Sequence, residues 1–463
     1  MICVKKFPDP SLLCTARLFA LIALWFLPFS TAITNVSMLL FAGATLLAKQ
    51  TWRRGYQVAR HPAGRLALLL FAALALSMCY SAAPFSESML WLVKYRKLLF
   101  IPLLLIAFQG VDWSGAARSG LFASLTASLL LSITNYFNLT SIGTLYDATA
   151  LITHAWVFKN HITAGLFSAL LFNMSMDMAA SARRKTVKAA LYALALVTLI
   201  HIFVMLQSRT AQLITILLTL YQTYRLARPE RSPPEHFSAS SYDEREATPC
   251  KPLKNALERR ALWRACIFGV SCAFLIGALI YLKGSRLTQM GAEIAAYQQR
   301  NEATSAGLRI EWTRKSLVLF AQRPLFGYGV ASIRREFEKM NAGNEGARGA
   351  ITANPHNQYL LMAAELGLLG LGLLICLLIQ IARAAARLAA PARHLLGCWL
   401  FIFAAGCLAN SLLLDFSEGY LLVLLSGILL GCAGCSRNPS TNCGEKPYGE
   451  RIAAPCKSLK NAL

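Results

Sequence analysis

"TANPHNQYLLMAAELGLLGLGLL", residues 352–374, sets a histidine directly against an apolar run. From 358 to 381 only Glu365 carries a full charge, and about 20 such residues are enough to cross a bilayer as a helix. The stretch therefore predicts a membrane span with a polar entry. It asks why an ionisable ring stands at that entry.

Further apolar stretches lie outward from it, at 16–34, 35–50, 64–82, 88–108, 119–136, 156–178, 187–206, 210–227, 261–282, 394–413 and 418–435. With 56% hydrophobic and 15% charged residues and a mean hydropathy of +0.48, the 463-residue chain is too apolar for a soluble protein of its length. The expected fold is an all-α polytopic membrane protein of about twelve transmembrane helices. A basic start precedes the first apolar run, as in a signal peptide. It is read as an uncleaved helix, because its removal would leave an odd number of spans and spoil the charge pattern.

That pattern sets the orientation. Lys49, Arg53, Arg54, Arg60 and Arg65, then Arg183, Arg184, Lys185 and Lys188, then Arg225 to Arg264, then Arg383, Arg387 and Arg393 mark cytoplasmic loops. The short loops between them, such as "SAAPFSES" and "LLDFSEG", carry no Lys or Arg and face outward, with both termini inside. The predicted organisation is nine spans in 1–283, including a polar cytoplasmic linker at 228–260. A long, partly helical outer segment follows at 284–355, then three spans in 356–436 and a cytoplasmic tail at 437–463.

The net charge of +24 fits this topology and an attraction to anionic lipid. No basic stretch is interleaved with aromatics, so nucleic acid is not an expected partner. None of the thirteen cysteines lies in the outer segment, which argues against structural disulfides there. Cys432, Cys435 and Cys443 lack a histidine at zinc spacing. The peptide "PCKPLKNAL" at 249–257 recurs as "PCKSLKNAL" at 455–463, too short for a repeat fold.

Residues 308–322 have helical spacing and end before Pro324 and Gly327. A helical wheel puts Ile310, Trp312, Thr313, Ser316, Leu317 and Phe320 on one face and Glu311, Arg314 and Lys315 on the other. Arg309 projects from the apolar face, where a guanidinium needs an anion. That anion is either an acid of the same segment, Glu293 or Glu302, or a ligand.

Arg209 breaks the rule of uncharged short outer loops, and either snorkels to the interface or meets an anion. Lys94, Arg96 and Lys97 interrupt the fourth span at a depth where basic groups either snorkel or face a cavity or head group. Asn354 reads as a helix cap with Pro355, His356 and Asn357 in the first turn, where the macrodipole favours a neutral imidazole and a nearby anion. His154 and His161 belong to the same side. No metal motif links these groups, and Glu336 and Glu338 are hemmed by Arg334, Arg335 and Lys339.

"SRTA" at 208–211, "RIEWTRKSLVLFAQRPLFGYG" at 309–329 and "NPHNQYLLMAAELGLLG" at 354–370, with a long outer segment before the last three spans, resemble the O-antigen ligase and O-antigen polymerase-like membrane glycosyltransferases. The likeness covers residues 150–380 and extends to the rest by topology. It implies a GT-C-like fold in the bacterial inner membrane with its site facing the periplasm. The implied reaction is metal-independent, cofactor-free transfer of a glycan from undecaprenyl pyrophosphate to the lipid A core.

By the same resemblance His356 activates the acceptor hydroxyl, while Arg209 and Arg309 hold the pyrophosphate. Lys94, Arg96, Lys97 and Arg323 are further candidates for lipid or phosphate contacts, and Asn160, His161 and Asn357 for substrate binding. The PHN histidine favours a ligase or a protein O-oligosaccharyltransferase over a polymerase. Outside the class, a transporter of a lipid-linked or anionic solute would also use buried cations. The halves show no repeat that would support one.

Overall fold

The computed structural model describes residues 10–59, 61–144, 154–227, 263, 266, 269–273, 276–278, 289–341 and 343–433. The linker 228–260, the tail 437–463, both copies of the nine-residue peptide, Cys435, Cys443 and most of the predicted span 261–282 lie outside them. Among the described residues every regular element is helical, apart from one isolated bridge between Thr144 and Val157.

The helices are α1 (Pro10–Phe26), α2 (Thr31–Leu47), α3 (Lys49–Ala59), α4 (Pro62–Ser77), α5 (Phe85–Tyr95), α6 (Phe100–Ala107), α7 (Ser114–Tyr136) and α8 (His161–Ser181). They continue with α9 (Lys185–Ile200), α10 (Arg209–Ala227), α11 (Met290–Arg300), α12 (Ser305–Gln322), α13 (Ile333–Met340), α14 (Gln358–Ala385), α15 (Ala390–Gly406) and α16 (Phe416–Cys432). Four described helices are long and apolar enough to cross a membrane: α7, α8, α9 with its π-helical extension to Leu206, and α14. Others, including α2, α4 and α16, are apolar but shorter. The protein is a helical membrane protein.

Helix α16 lies at its centre. Ser417 to Cys432 are all buried, as befits a mostly apolar helix with packing on every side. Gly427 lets α6 approach so closely that a Cβ there would stand 2.4 Å from Leu104 Cβ. Small residues at such crossings bring backbones together where lipid supplies no hydrophobic drive.

Two of the predicted spans are interrupted near their middle among the described residues. The fourth, 88–108, is α5 and α6 joined by a 3-10 turn at Arg96–Leu99, so Arg96 and Lys97 fall at the break itself and Lys94 in the last turn before it. The other, 358–381, is α14, interrupted at Gly367, whose φ of 64° and ψ of −153° are open to glycine alone. The chain after α12 fills that gap. Tyr328 and Gly329 donate to the Ala364 and Glu365 carbonyls at 3.0 and 2.8 Å, and Leu368 donates to the Pro324 carbonyl at 2.7 Å. Ala331 N–H adds a 2.7 Å bond to the buried Glu365 carboxyl. In an apolar medium a broken helix must satisfy its freed backbone groups within the protein, and the "RPLFGYG" segment does so. This splice fixes α12 against the start of α14.

Candidate active site

The entry to α14 differs from the predicted one. Asn357, rather than Asn354, is the N-cap, its Oδ1 accepting from Tyr359 and Leu360 N–H at 3.0 and 3.1 Å. His356 precedes the helix in a left-handed conformation, with φ of 55°, and so cannot belong to its first turn. Asn354 closes a tighter turn, accepting from His356 N–H at 2.9 Å and from Ser411 Oγ at 2.6 Å. The polar pair around Pro355 thus divides its labour: one Asn holds the histidine turn and the other starts the helix.

The loop between α15 and α16 underpins this turn. Asn357 Nδ2 donates to the Leu408 carbonyl at 2.9 Å, and Gln358 Oε1 accepts from Leu413 and Leu414 N–H at 2.9 and 3.2 Å. Asn410 Nδ2 reaches Thr210 Oγ1 at 3.4 Å, beside Arg209. This one loop therefore ties the start of α10 to the start of α14.

Helix α12 brings the third part. Its cap is Thr304, whose side chain accepts from Gly307 N–H at 3.1 Å. The wheel prediction for this helix needs correction. Glu311 and Lys315 are buried, at 0% and 2% exposure, whereas Ile310 and Leu317 are exposed at 39% and 50%. The cause is the polar cover formed by the rest of the segment. Tyr297 and Arg314 donate to the Glu311 carboxylate at 2.8 and 2.6 Å, and Lys315 Nζ is held by Asn341 and by the Arg348 carbonyl. Burial there is satisfied by hydrogen bonds, which a hydrophobicity wheel does not register.

Arg309, Arg209 and His356 come together. Arg209 forms a forked pair with Glu293 of α11, Nη1 donating to Oε2 at 3.0 Å and Nη2 bonding the other oxygen. Arg309 forms no ion pair among the described residues, so the sequence alternative that gave Glu293 or Glu302 to Arg309 is not what the structure shows. Glu302 pairs instead with Arg300 at 2.8 Å. Burial, and then the neighbouring positive charge of Arg209, lower the Arg309 pKa, with Glu293 offsetting part of the shift. Arginine nevertheless stays a cation at neutral pH.

His356 is pushed below the ordinary imidazole value, first by burial and then by Arg309. A neutral ring is thus favoured, for reasons other than the helix dipole. Its face lies against Trp312, with centroids 5.3 Å apart and planes 31° from parallel. Sequence alone does not assign Trp312 and Glu293 these roles. The Trp312 signal was present, since it stands three residues from Arg309 on one helix side. The pairing of Glu293 with Arg209, 84 positions away in sequence, left no local mark.

The remaining candidates are placed elsewhere or otherwise engaged. Lys97 is buried and bonds the Asp415 carbonyl, with a longer 3.4 Å contact to the Leu414 carbonyl. Lys94 is exposed and lies over the Trp91 ring at 4.6 Å, while Arg96 donates to Asn35 Oδ1 at 2.8 Å. Arg323 stacks over Tyr328 at 4.5 Å to the centroid, beside an open groove of about 500 Å³ that Leu325 and Phe326 also line. Asn160 caps α8, its Oδ1 accepting from Thr163 N–H at 2.9 Å, and His161 stacks on Trp156 at 4.7 Å. His154 Nδ1 is 2.6 Å from Asn138 Oδ1. Glu336 and Glu338 are paired with Lys339 and Arg334 at 2.7 and 3.2 Å.

Residues 194–375 match the model of a family described as O-antigen ligase. The matched region contains Arg209, Glu293, Arg309, Trp312 and His356. No curated protein matches the chain.

Proposed function

We propose, from that match and from the two arginines gathered beside a neutral histidine, that the protein is a membrane glycosyltransferase of the O-antigen ligase type. It transfers a glycan from undecaprenyl pyrophosphate to the lipid A core on the periplasmic side of the bacterial inner membrane. The observation that carries this reading is the positive excess at Arg209 and Arg309, with Glu293 as the acid paired there, next to His356.

In the reaction, His356 takes the proton of the acceptor hydroxyl as that oxygen bonds to the anomeric carbon. The bond from this carbon to the diphosphate oxygen breaks, and undecaprenyl diphosphate leaves with the electron pair. Attack from the side opposite the leaving group inverts the anomeric centre. Arg309 plays two parts. Before the reaction it lowers the basicity of His356 and keeps it unprotonated; during it, with Arg209, it meets the charge that grows on the diphosphate. The imidazolium formed on His356 is then balanced by the departing anion, and its proton returns to water.

The test is reconstitution of the purified protein with undecaprenyl-pyrophosphate glycan and lipid A core, without added metal. Ligated lipopolysaccharide is the expected product. Lengthened carrier-linked glycan alone would instead identify a polymerase. Carrier-linked glycan moved across a vesicle without chemical change would identify a transporter.

A further inference from the structure

Glu293 stands where an anion is wanted. Its carboxylate takes the forked pair of Arg209 and, through Oε2, a 3.0 Å bond from Ala306 N–H in the first turn of α12. Arg309 is three residues further along that helix, on the same side as Ala306. One guanidinium fork and a helix-start N–H thus hold the Glu293 carboxylate, and Arg309 feels its charge without pairing to it. These donors suit a phosphate oxygen at least as well as a carboxylate.

The pair is also within reach of water, with 16% of the Arg209 and 21% of the Glu293 side chain exposed. Glu293 can therefore turn outward without stranding a buried charge. One backbone contact to the α12 cap remains meanwhile, the Glu293 carbonyl accepting from Thr304 Oγ1 at 2.9 Å, while the helix around it loses its side-chain anchor.

We propose that Glu293 is an internal stand-in for the substrate diphosphate, a carboxylate that fills the anion seat in the empty enzyme and is displaced when a diphosphate binds. The inference rests on the diphosphate-binding role assigned to Arg209 and Arg309 above. In the empty site Glu293 keeps two like charges from repelling each other and holds the Arg209 fork in position. When the diphosphate enters, its oxygens take over the Arg209 and Ala306 donors. After glycosyl transfer the carboxylate competes for the same donors and hastens release of the diphosphate product. Glu293 thereby sets affinity and turnover without touching the reacting atoms.

A structural role predicts the opposite sign. If Glu293 only props Arg209, its removal loosens the site and weakens binding. If it competes, its removal strengthens binding.

The experiment is titration of full-length protein in nanodiscs with inorganic pyrophosphate, at fixed ionic strength and pH 7.5, using wild type, Glu293→Gln, Glu293→Asp and Arg309→Ala. Glu293→Gln is expected to bind about tenfold tighter, matching roughly 1.4 kcal/mol, with Glu293→Asp between it and wild type. Equal or weaker binding by Glu293→Gln, while wild type binds and Arg309→Ala does not, overturns the stand-in and leaves the diphosphate reading intact. Absence of binding by wild type and Glu293→Gln alike removes that reading and the stand-in together. Should the Gln variant fail to fold, amide exchange in the wild type decides: pyrophosphate is expected to speed exchange over 290–300, and slower exchange there overturns the proposal.

Discussion

Lys97 and Arg309 are both basic side chains held partly or wholly out of water in a helical membrane protein, yet their surroundings differ. Around Lys97 the chain supplies its own partners: the Leu414 and Asp415 carbonyls and, 5.7 Å from Nζ, the face of Tyr420. Around Arg309 the acid nearby among the described residues, Glu293, is already forked onto Arg209, and burial and Arg309 lower the pKa of the histidine beside it. A buried charge with its partners in place has the environment of a structural post. One short of a partner has the environment of a binding site. The two regions make different predictions for substitutions of similar appearance.

The largest effect is expected at His356. Replacement by Ala should lower kcat by about 10²–10⁴, the usual worth of a general base, while pyrophosphate affinity and thermal unfolding stay near wild type. Because burial and Arg309 depress its pKa, the base form persists through neutrality. Activity should therefore hold down to about pH 6.5 and fall only below it, as the ring takes a proton. A rate profile showing its acid limb above that value would remove His356 as the titrating base.

Next comes Arg309. Its change to Ala should cost about 10²–10³ in kcat/KM, with most of the loss in the chemical step rather than in folding. Lys should restore little, since an ammonium lacks the planar fork. Arg309→Ala also removes a positive neighbour from His356, so the acid limb of the pH profile should move upward. That shift, measured on the residual activity, separates electrostatic contact from simple loss of packing.

Much of the fold was legible because apolar run length is a one-dimensional quantity. The runs at 187–206 and 358–381 correspond to α9 with its extension and to α14 at nearly full length. The break at Gly367 was not, because "ELGLLGLGLLI" offers Gly367, Gly370 and Gly372 without distinction. Only the arrival of 324–329 at one of them selects it. The site was legible as residue types: an arginine on an apolar helix face and a histidine after Asn-Pro are each anomalies in their surroundings. Their partners were not legible. Glu293 lies 84 positions from Arg209 and Ser411 lies 57 from Asn354, and nothing local marks either pairing. Lys97 shows the converse, for its depth marks it as unusual while its use of backbone carbonyls leaves no trace in composition.

Lys97 therefore sharpens the comparison on the structural side. Lys97→Met keeps the volume and removes the donor, leaving the Asp415 carbonyl without its partner. The expected loss is about 2–3 kcal/mol, the scale of a hydrogen bond to a charged group. It should be read as a lower unfolding temperature and reduced recovery of detergent-solubilised protein. Because the same loop holds Ser411 on Asn354, some activity should fall with stability, but pyrophosphate affinity per folded molecule should not. A selective loss of that affinity would move Lys97 across to the binding side.

The smallest effect separates what Trp312 gives to His356. Its ring supports the imidazole, and its buried Nε1 has no hydrogen-bond partner among the described residues. Trp312→Phe keeps an aromatic face and deletes the N–H, so the empty protein should lose little stability. Trp312→Leu removes the stack, worth about 0.5–1.5 kcal/mol beyond burial. If Trp312 only orients the ring, Leu should cost a few-fold in kcat and Phe almost nothing. If the N–H also meets the acceptor sugar, Phe alone should raise KM for the acceptor and leave pyrophosphate affinity unchanged. Arg309 and Trp312 flank His356 from one helix, so this split would show whether α12 positions the base, binds the acceptor, or performs both with one side chain.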